Sequence, residues 1–385
     1  MQQAADGLTT LLQSVALAGS RLRAAASPDE VAEALLRDAR RLLRCQAGAV
    51  RLVEGEHLRL LVAHNDVIPP AALTARRGER VPLDGRSVAA HVARGAVRVT
   101  TREPTALAGL EWDDAFEARH GFRTRALMAL PLLGRDGRGL AVLELQNPVG
   151  GDGDAATFSA DHEELAAILA AQAGLALEHA VADARGRAEQ AEIVFTLAAM
   201  PEHRDPDIRW HVRRISGYSR VLARSMGLDD EGVRLVELAS ALHDVGKVGI
   251  PPEILLKPGK LTDEEFGITR EHCTLGHQLL SDAGAPLLER GAEVALSHHE
   301  RWDGEGYPRG LAGAAIPLSG RIVAIADVFD ALTTRRTYKP AMGIEQSLRI
   351  LGLESGKHFD PDLVDAFQRV FSDILDVKRQ FTPDG

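Results

Sequence analysis

The chain has 385 residues, 45% of them apolar and 26% charged, with a net charge of −10. That length accommodates two domains with their own cores, and the acidic balance excludes non-specific nucleic-acid binding, which needs a basic face against the phosphates. The two cysteines, Cys45 and Cys273, stand far apart, which argues against disulfide dependence and suits a reducing compartment. Residues 1–6 lack the basic start of a signal peptide, and no apolar run approaches the ~20 residues that span a bilayer. The expectation is a cytoplasmic protein with neither membrane nor nucleic acid as partner.

Leu8, Leu11, Leu12, Val15, Ala18 and Leu22 recur at helical spacing and predict a helix over 7–24. Ser27-Pro28-Asp29-Glu30 predicts the next helix start, with Ser27 as N-cap, Pro28 at the first position and Glu30 completing a capping box. The period then shortens to two. Residues 48–53 and 57–62 read as strands joined by Glu54-Gly55-Glu56. A helix over 87–94, a strand over 97–100 and a strand pair over 124–133 and 139–146 follow, then a polar, glycine-rich loop over 147–156. From Ser159 a helix runs towards Ala199, with Asp161, Glu163 and Glu164 favourably placed against its dipole. Unbroken, its ~40 residues would extend ~60 Å. Its stretch over 180–192 reads either as a solvated spacer or as a parallel coiled coil carrying signals, with Gly174 and Gly186 as candidate bends. Helices flanking an antiparallel sheet make residues 1–180 an α+β domain.

After Pro201 the pattern is helical. Asp207 and His211 are four apart and share a face if the helix covers both. A helix over 230–245 carries His243-Asp244, with Lys247 one turn further on. His243 alone would read as a core histidine, but an acidic neighbour changes that reading. Thr262-Asp263-Glu264-Glu265 is a capping box opening a helix with His272 and Gly276, where glycine permits close helix approach, while His277 reads as exposed. His298-His299-Glu300-Arg301-Trp302-Asp303 runs into a turn of Gly304, Gly306, Tyr307 and Pro308. Asp327 ends the apolar run 321–326, and a buried carboxylate is costly unless paired or metal-bound. His211, His243, Asp244, His272, His298, His299 and Asp327, with Asp207 as an eighth candidate, exceed what one ion needs. Two ions bridged by Asp244 would use them, which is the arrangement for in-line attack on a phosphodiester. Mixed imidazole and carboxylate ligands suit Fe, Mn or Zn better than Mg.

Two resemblances follow. Residues 126–133 and 140–147, then Phe158-Ser159 before the long helix, resemble a GAF domain over roughly 20–180. That implies a small-molecule sensor and dimerisation module whose ligand the residues do not name; Cys45 reads as a plain buried cysteine. His243-Asp244, the 298–308 stretch, and the segments 256–261, 327–333 and 356–361 resemble the HD-GYP branch of the HD phosphohydrolases over roughly 195–375. The resemblance implies hydrolysis of cyclic di-GMP to linear pGpG and onward to GMP, by hydroxide activated at two metals, iron or manganese foremost. It places the metal ligands on His211, His243, Asp244, His272, His298, His299 and Asp327. Lys247 takes the place of a lysine on substrate phosphate or hydroxide, so that Asp244 and Lys247 are the catalytic pair. Arg336 and Lys339, which by themselves read as a solvated basic loop, match a phosphate-holding pair, and Gly304, Gly306, Tyr307 and Pro308 match the loop shaping the substrate cleft. Asp207 stands where some members have a glutamate for a third metal, Ile208 where threonine is frequent, and Gly320 where alanine is usual.

The expected organisation is a GAF sensor over 1–180, a helical linker over 181–196 and an all-α HD-GYP domain over 197–385. A homodimer through the GAF domain and linker, and signalling proteins as further partners, complete the expectation. The rivals are a cyclic di-GMP receptor without turnover and a phosphohydrolase for another cyclic dinucleotide.

Overall fold

The computed structural model describes residues 2–112, 114–149, 157–203, 207–281, 284–334 and 341–382, with side chains from Thr9 onward. Its contacts separate two units, Met1–Arg187 and Ala188–Gly385.

The first unit opens with helices α1 (Gln2–Ala24) and α2 (Pro28–Leu43). Strands β1 (Cys45–Glu54) and β2 (His57–Asn65) pair antiparallel around a two-residue turn in which Gly55 takes φ 58°. Then come α3 (Pro70–Thr74), β3 (Arg80–Pro82), α4 (Val88–Gly95), β4 (Val99–Thr101), α5 (Ala115–Arg119), β5 (Leu127–Leu133), β6 (Gly139–Pro148) and α6 (Ala160–Ala198). The six strands form one antiparallel sheet in the order β3-β2-β1-β6-β5-β4. Alternation sorts its two faces. Val50, Met128 and Leu143 join Leu35, Leu36, Leu169 and Leu177 in one cluster, while Leu127, Ala129 and Val142 pack with Val88 and Val92 of α4 in another.

Several local expectations need correction. Ser27 does cap α2, accepting from the Glu30 amide at 3.2 Å, but the Glu30 carboxylate takes the Ala26 amide at 2.8 Å instead of closing a capping box. Among the described side chains of the α1 stripe only Ala18 and Leu22 are buried, and Leu11 and Leu12 are exposed, because periodicity marks a face without saying what covers it. The short elements α3, β3 and α5, of three to five residues, carry too little pattern to be foreseen. The loop expected over 147–156 lies largely outside the described residues, although β6 itself extends through Pro148.

Helix α6 is continuous over its 39 residues, so neither Gly174 nor Gly186 interrupts it. Gly174 is there for contact: a Cβ on it would overlap the Leu133 carbonyl of β5, whereas one on Gly186 would meet open space. Among the described residues α6 alone is long and apolar enough to cross a membrane by length and composition, contrary to the expectation of no such run. Part of that apolar character has a local cause, since Ala166, Leu169, Ala170, Ala173 and Leu177 of α6 are buried in the core of the first unit.

The second unit begins within α6 and is all helical: α7 (Ile208–Ser225), α8 (Asp230–Ala241), α9 (Pro252–Leu255), α10 (Asp263–Leu280), α11 (Pro286–Ser297), α12 (Leu318–Thr333), α13 (Ile344–Leu353), α14 (Pro361–Arg369) and α15 (Phe371–Gln380). Tyr218, Phe329 and Phe367 centre its core, with Phe329 5.6 Å from Tyr218 and 5.0 Å from Phe367 between ring centroids. An α+β unit followed by an all-α unit is the fold class expected from the sequence. The Thr262 capping box forms with both hydrogen bonds, so α10 starts where its residues foretell. His277 is only half exposed, its Nδ1 3.2 Å from the Ala292 carbonyl.

Two glycine substitutions separate contact from flexibility. Gly174→Ala is expected to destabilise the chain by about 1–3 kcal/mol, the usual cost of overpacking, and Gly186→Ala to stabilise it by about 0.5–1 kcal/mol. Chemical denaturation of the full chain measures both.

Candidate metal centre

Five elements deliver the site. His211 lies in the first turn of α7 and Asp327 on α12. His243 and Asp244 follow the end of α8, which stops at Ala241 rather than continuing to 245. There the chain tightens into a 3-10 turn over Val245–Gly249. That turn lies against α10: a Cβ on Gly246 would overlap the His272 carbonyl and the Gly276 backbone, and a Cβ on Gly276 would sit 3.0 Å from Ala295 Cβ. Two glycines thus let α8, α10 and α11 converge, bringing His272 of α10 beside His298 and His299 at the end of α11. Gly320, where alanine was expected, faces Ser297, whose hydroxyl a methyl group would overlap.

The imidazoles are oriented by a repeated device. His243 Nδ1 donates to the Ser240 carbonyl at 2.8 Å, His272 Nδ1 to the Thr269 carbonyl at 2.6 Å, and His298 Nδ1 to the Val294 and Ala295 carbonyls at 3.1 Å. His211 Nδ1 donates to Asp330 Oδ2 at 2.8 Å. Carbonyl and carboxylate oxygens only accept, so the proton sits on Nδ1 and, in the neutral ring, leaves Nε2 with its lone pair. The Nε2 atoms turn towards Asp244 and Asp327. Asp244 Oδ1 is 3.3 Å from His272 Nε2 and 3.8 Å from His298 Nε2, Asp244 Oδ2 is 3.1 Å from His243 Nε2, and Asp327 Oδ1 is 3.8 Å from His211 Nε2. His299 stands 4.0 Å from His298 and 5.2 Å from His272 between ring centroids.

Two buried atoms in this cluster, His243 Nε2 and Asp244 Oδ1, have no hydrogen-bond partner among the described residues. Orphaned lone pairs within a dense set of nitrogen and oxygen donors are what a divalent ion satisfies. Among the described residues the donors fall into two separate groups, His211, His243 and Asp327 in one, and His272, His298 and His299 with Cys273 in the other, and Asp244 reaches His243 of the first and His272 of the second.

Burial pushes the pKa values of His272, His298 and His299 down, His299 to about 4, so these rings are neutral at neutral pH. Burial opposes the imidazolium at His243 as well, but the Asp244 carboxylate beside it prevails and raises that pKa to about 9, so that without an ion Nε2 carries a proton, which a metal binding there would replace. Asp244 is itself held well below the carboxylate range, against burial, by Lys247 and His243. Lys247 Nζ bonds Asp244 Oδ2 and Glu202 Oε1, each at 2.8 Å, and stays charged despite its burial. Glu202, His211, Asp244, Lys247, His299 and Asp327 line a cavity of about 180 Å³ with Asp207 and Asp330.

The loop after His299 walls the site. Tyr307 stacks on the His299 ring at 4.7 Å, and Arg270 covers the outer face of Tyr307 at 4.7 Å. Gly304 takes φ 84°, and a Cβ on Gly306 would overlap the backbone of Glu300 and Arg301. Pro308 follows Tyr307 in this turn. The Glu300 carboxylate accepts the Arg309 and Leu311 amides at 2.8 and 2.9 Å, closing the loop.

Residues 196–363 match the HD domain family and residues 25–178 the GAF domain family. A cyclic di-GMP phosphodiesterase of Thermotoga maritima is 46% identical over 189 residues, covering 49% of this chain and 51% of that protein. The cyclic di-GMP phosphodiesterase response regulator RpfG of Xanthomonas campestris pv. campestris is 42% identical over 213 residues, 55% of this chain and 56% of that one. The chain thus carries a GAF domain match followed by an HD domain match, in the order that the sequence leads one to expect. The 3'3'-cGAMP-specific phosphodiesterase 2 of Vibrio cholerae is also 42% identical, over 187 residues, 49% of this chain and 36% of that protein. The chain spans about half the length of the first two of these relatives.

Within the HD domain the structure brings together His211, His243, Asp244, Lys247, His272, His298, His299 and Asp327. Asp207 lines the same cavity but pairs with Arg214, at 2.5 Å from Nη2 and 3.3 Å from Nη1. Arg336 and Lys339 lie outside the described residues. Asp330 was not foreseen, although it interrupts the same apolar helix that singled out Asp327. It accepts from His211, from Arg214 Nε at 2.6 Å and from Arg214 Nη2 at 3.0 Å, all buried. Arg214 and Glu202 were also missed, because their roles come from packing and no pattern announces them.

Asp330→Ala removes both the Arg214 partner and the His211 tether. Stability is expected to fall by about 3–5 kcal/mol, as when one member of a buried ion pair is lost. Metal affinity is expected to fall about 10–100-fold. Denaturation and metal-binding titrations measure the two effects.

Proposed function

We propose that this chain is a metal-dependent phosphodiesterase that hydrolyses cyclic di-GMP to linear pGpG and, by a second cleavage, GMP. The observation that carries this reading is the convergence of tethered imidazoles on the partnerless Asp244 Oδ1. Water attacks phosphorus, the bond to the ribose 3'-oxygen breaks, and a 5'-phosphate remains. His211, His243, Asp244 and Asp327 would hold one divalent ion and Asp244, His272, His298 and His299 a second, iron or manganese, which when bound would supply Lewis acidity and charge neutralisation. Lys247 keeps a proton and a positive charge beside Asp244, where a phosphoryl oxygen or the attacking water can be met. Tyr307, Pro308, Gly304 and Gly306 shape one wall, and Arg336 and Lys339 hold the substrate phosphates. The 180 Å³ cavity admits ions and a phosphoryl group, about six water volumes, so the bases contact the surrounding surface. Asp207 adds a third ion only by giving up Arg214.

Residues 1–180 form the sensor, 181–196 the linker and 197–385 the catalytic domain, acting in the cytoplasm. A cavity of about 290 Å³ in the first unit supports a ligand site there, since Arg51 Nη1 and Trp112 Nε1 line it as buried donors without partners. Homodimerisation is supported by exposed Leu11, Leu12 and Leu17 on α1 and Ile168 and Leu175 on α6. A second reading, hydrolysis of 3'3'-cGAMP, is favoured by the equal identity to the Vibrio cholerae phosphodiesterase.

Anaerobically purified protein supplied with iron or manganese is expected to convert cyclic di-GMP to pGpG or GMP, followed by chromatography alongside 3'3'-cGAMP. Faster loss of 3'3'-cGAMP would select the second reading, and no turnover by metal-loaded protein would leave a receptor. His243→Ala and Asp244→Ala are each expected to abolish turnover, and Arg336→Ala to raise KM about tenfold, the loss of one charge-assisted contact. Light scattering is expected to show a dimer that Leu12→Glu with Leu175→Glu converts to monomer.

A further inference from the structure

We infer that Cys273 is a further, thiolate ligand of the ion held by Asp244, His272, His298 and His299, which makes that half of the centre a nitrogen–oxygen–sulfur site. This rests on the metal-centre reading above. Cys273 follows His272 on α10 and is fully buried. Its Sγ is 3.5 Å from His272 Nε2, the nitrogen left free because Nδ1 is bound to Thr269. The thiol therefore aims its proton at the lone pair that would meet an ion. Sγ and the ligand nitrogens of His272, His298 and His299 all lie within 4.8 Å of one another.

The separations match common ligation. Ligands ~2.1 Å (nitrogen or oxygen) and ~2.3 Å (sulfur) from one tetrahedral ion stand ~3.4 Å apart for two lighter atoms and ~3.6 Å apart for nitrogen and sulfur. Here His272 Nε2 is 3.4 Å from His298 Nε2, 3.3 Å from Asp244 Oδ1 and 3.5 Å from Cys273 Sγ. Asp244 Oδ1, buried and without a hydrogen-bond partner, faces the same nitrogen from another direction. Ligation exchanges the S–H bond for a sulfur–metal bond and releases the proton to solvent. A thiolate shifts preference towards Fe(II), Co(II) and Zn(II) and away from Mn(II) and Mg(II).

The full chain, loaded anaerobically with Co(II), tests this by absorption. Visible ligand-field bands report cobalt in the centre, and a near-ultraviolet charge-transfer band reports thiolate on cobalt. Wild type is expected to show both. Cys45→Ser, which alters the other cysteine, in the first unit, is expected to keep both. Cys273→Ser is expected to keep the visible bands, lose the charge-transfer band, and bind Co(II) about 10–100-fold more weakly, at least the cost of losing an outer partner. Wild type with visible bands and no thiolate band overturns the inference while leaving the metal centre standing. A thiolate band that persists in Cys273→Ser overturns it too, and wild type without any cobalt bands overturns both readings. The wild-type and Cys45→Ser spectra decide the matter even if Cys273→Ser fails to fold.

Discussion

The HD domain depends on one constraint, that four of the five clustered imidazole rings, those of His211, His243, His272 and His298, are pinned through Nδ1 before any ion arrives. Three of the four pins come from the chain just upstream: His243 on Ser240, His272 on Thr269, and His298 on Val294 and Ala295, all three or four residues back. A helical or turning backbone presents its carbonyls at that offset, so ring orientation follows from local geometry. Only His211 needs a distant partner, Asp330, and Asp330 needs Arg214 to remain ionised inside the protein. Burial alone would raise the Asp330 pKa, yet His211 and Arg214 hold it below the carboxylate range. Preorganisation here costs little chain entropy at binding, because the rings are already fixed.

This local origin explains what could be read from sequence. The histidines and Asp244 lie on or beside strongly periodic helices, so their presence and approximate faces were legible. Asp327 was legible because an apolar run ended on a charge. Asp330 breaks the same apolar helix three residues further on, but its acidic side chain alone does not tell a ligand from a tether. Glu300, within the most histidine-rich stretch, looks like part of the metal chemistry but serves as an acceptor for loop amides. Residue type could not separate those uses. Cys273 was noted only as a cysteine, since nothing in its neighbours reveals which way a helical side chain turns.

For the fold, the long helices and the β1–β2 and β5–β6 pairs were plain from period and turn residues. The end of α8 was not. Its apolar spacing runs on towards Val245, and the helix stops because Gly246 lets the backbone press against α10. Such endings are decided by tertiary contact, which overrides propensity. Gly174 shows the same limit: a glycine taken for a bend is a contact with β5.

Glu202 lies four residues beyond the last residue of α6, and its carboxylate holds one side of the Lys247 ammonium while Asp244 holds the other. The lysine is therefore suspended between a fixed anchor inside the HD core and one carried by the trailing end of the long helix. A rotation or axial slip of that end would pull on one anchor and not the other. The charge beside Asp244 would shift like a bead on a short string, with no need for the histidine cage to deform.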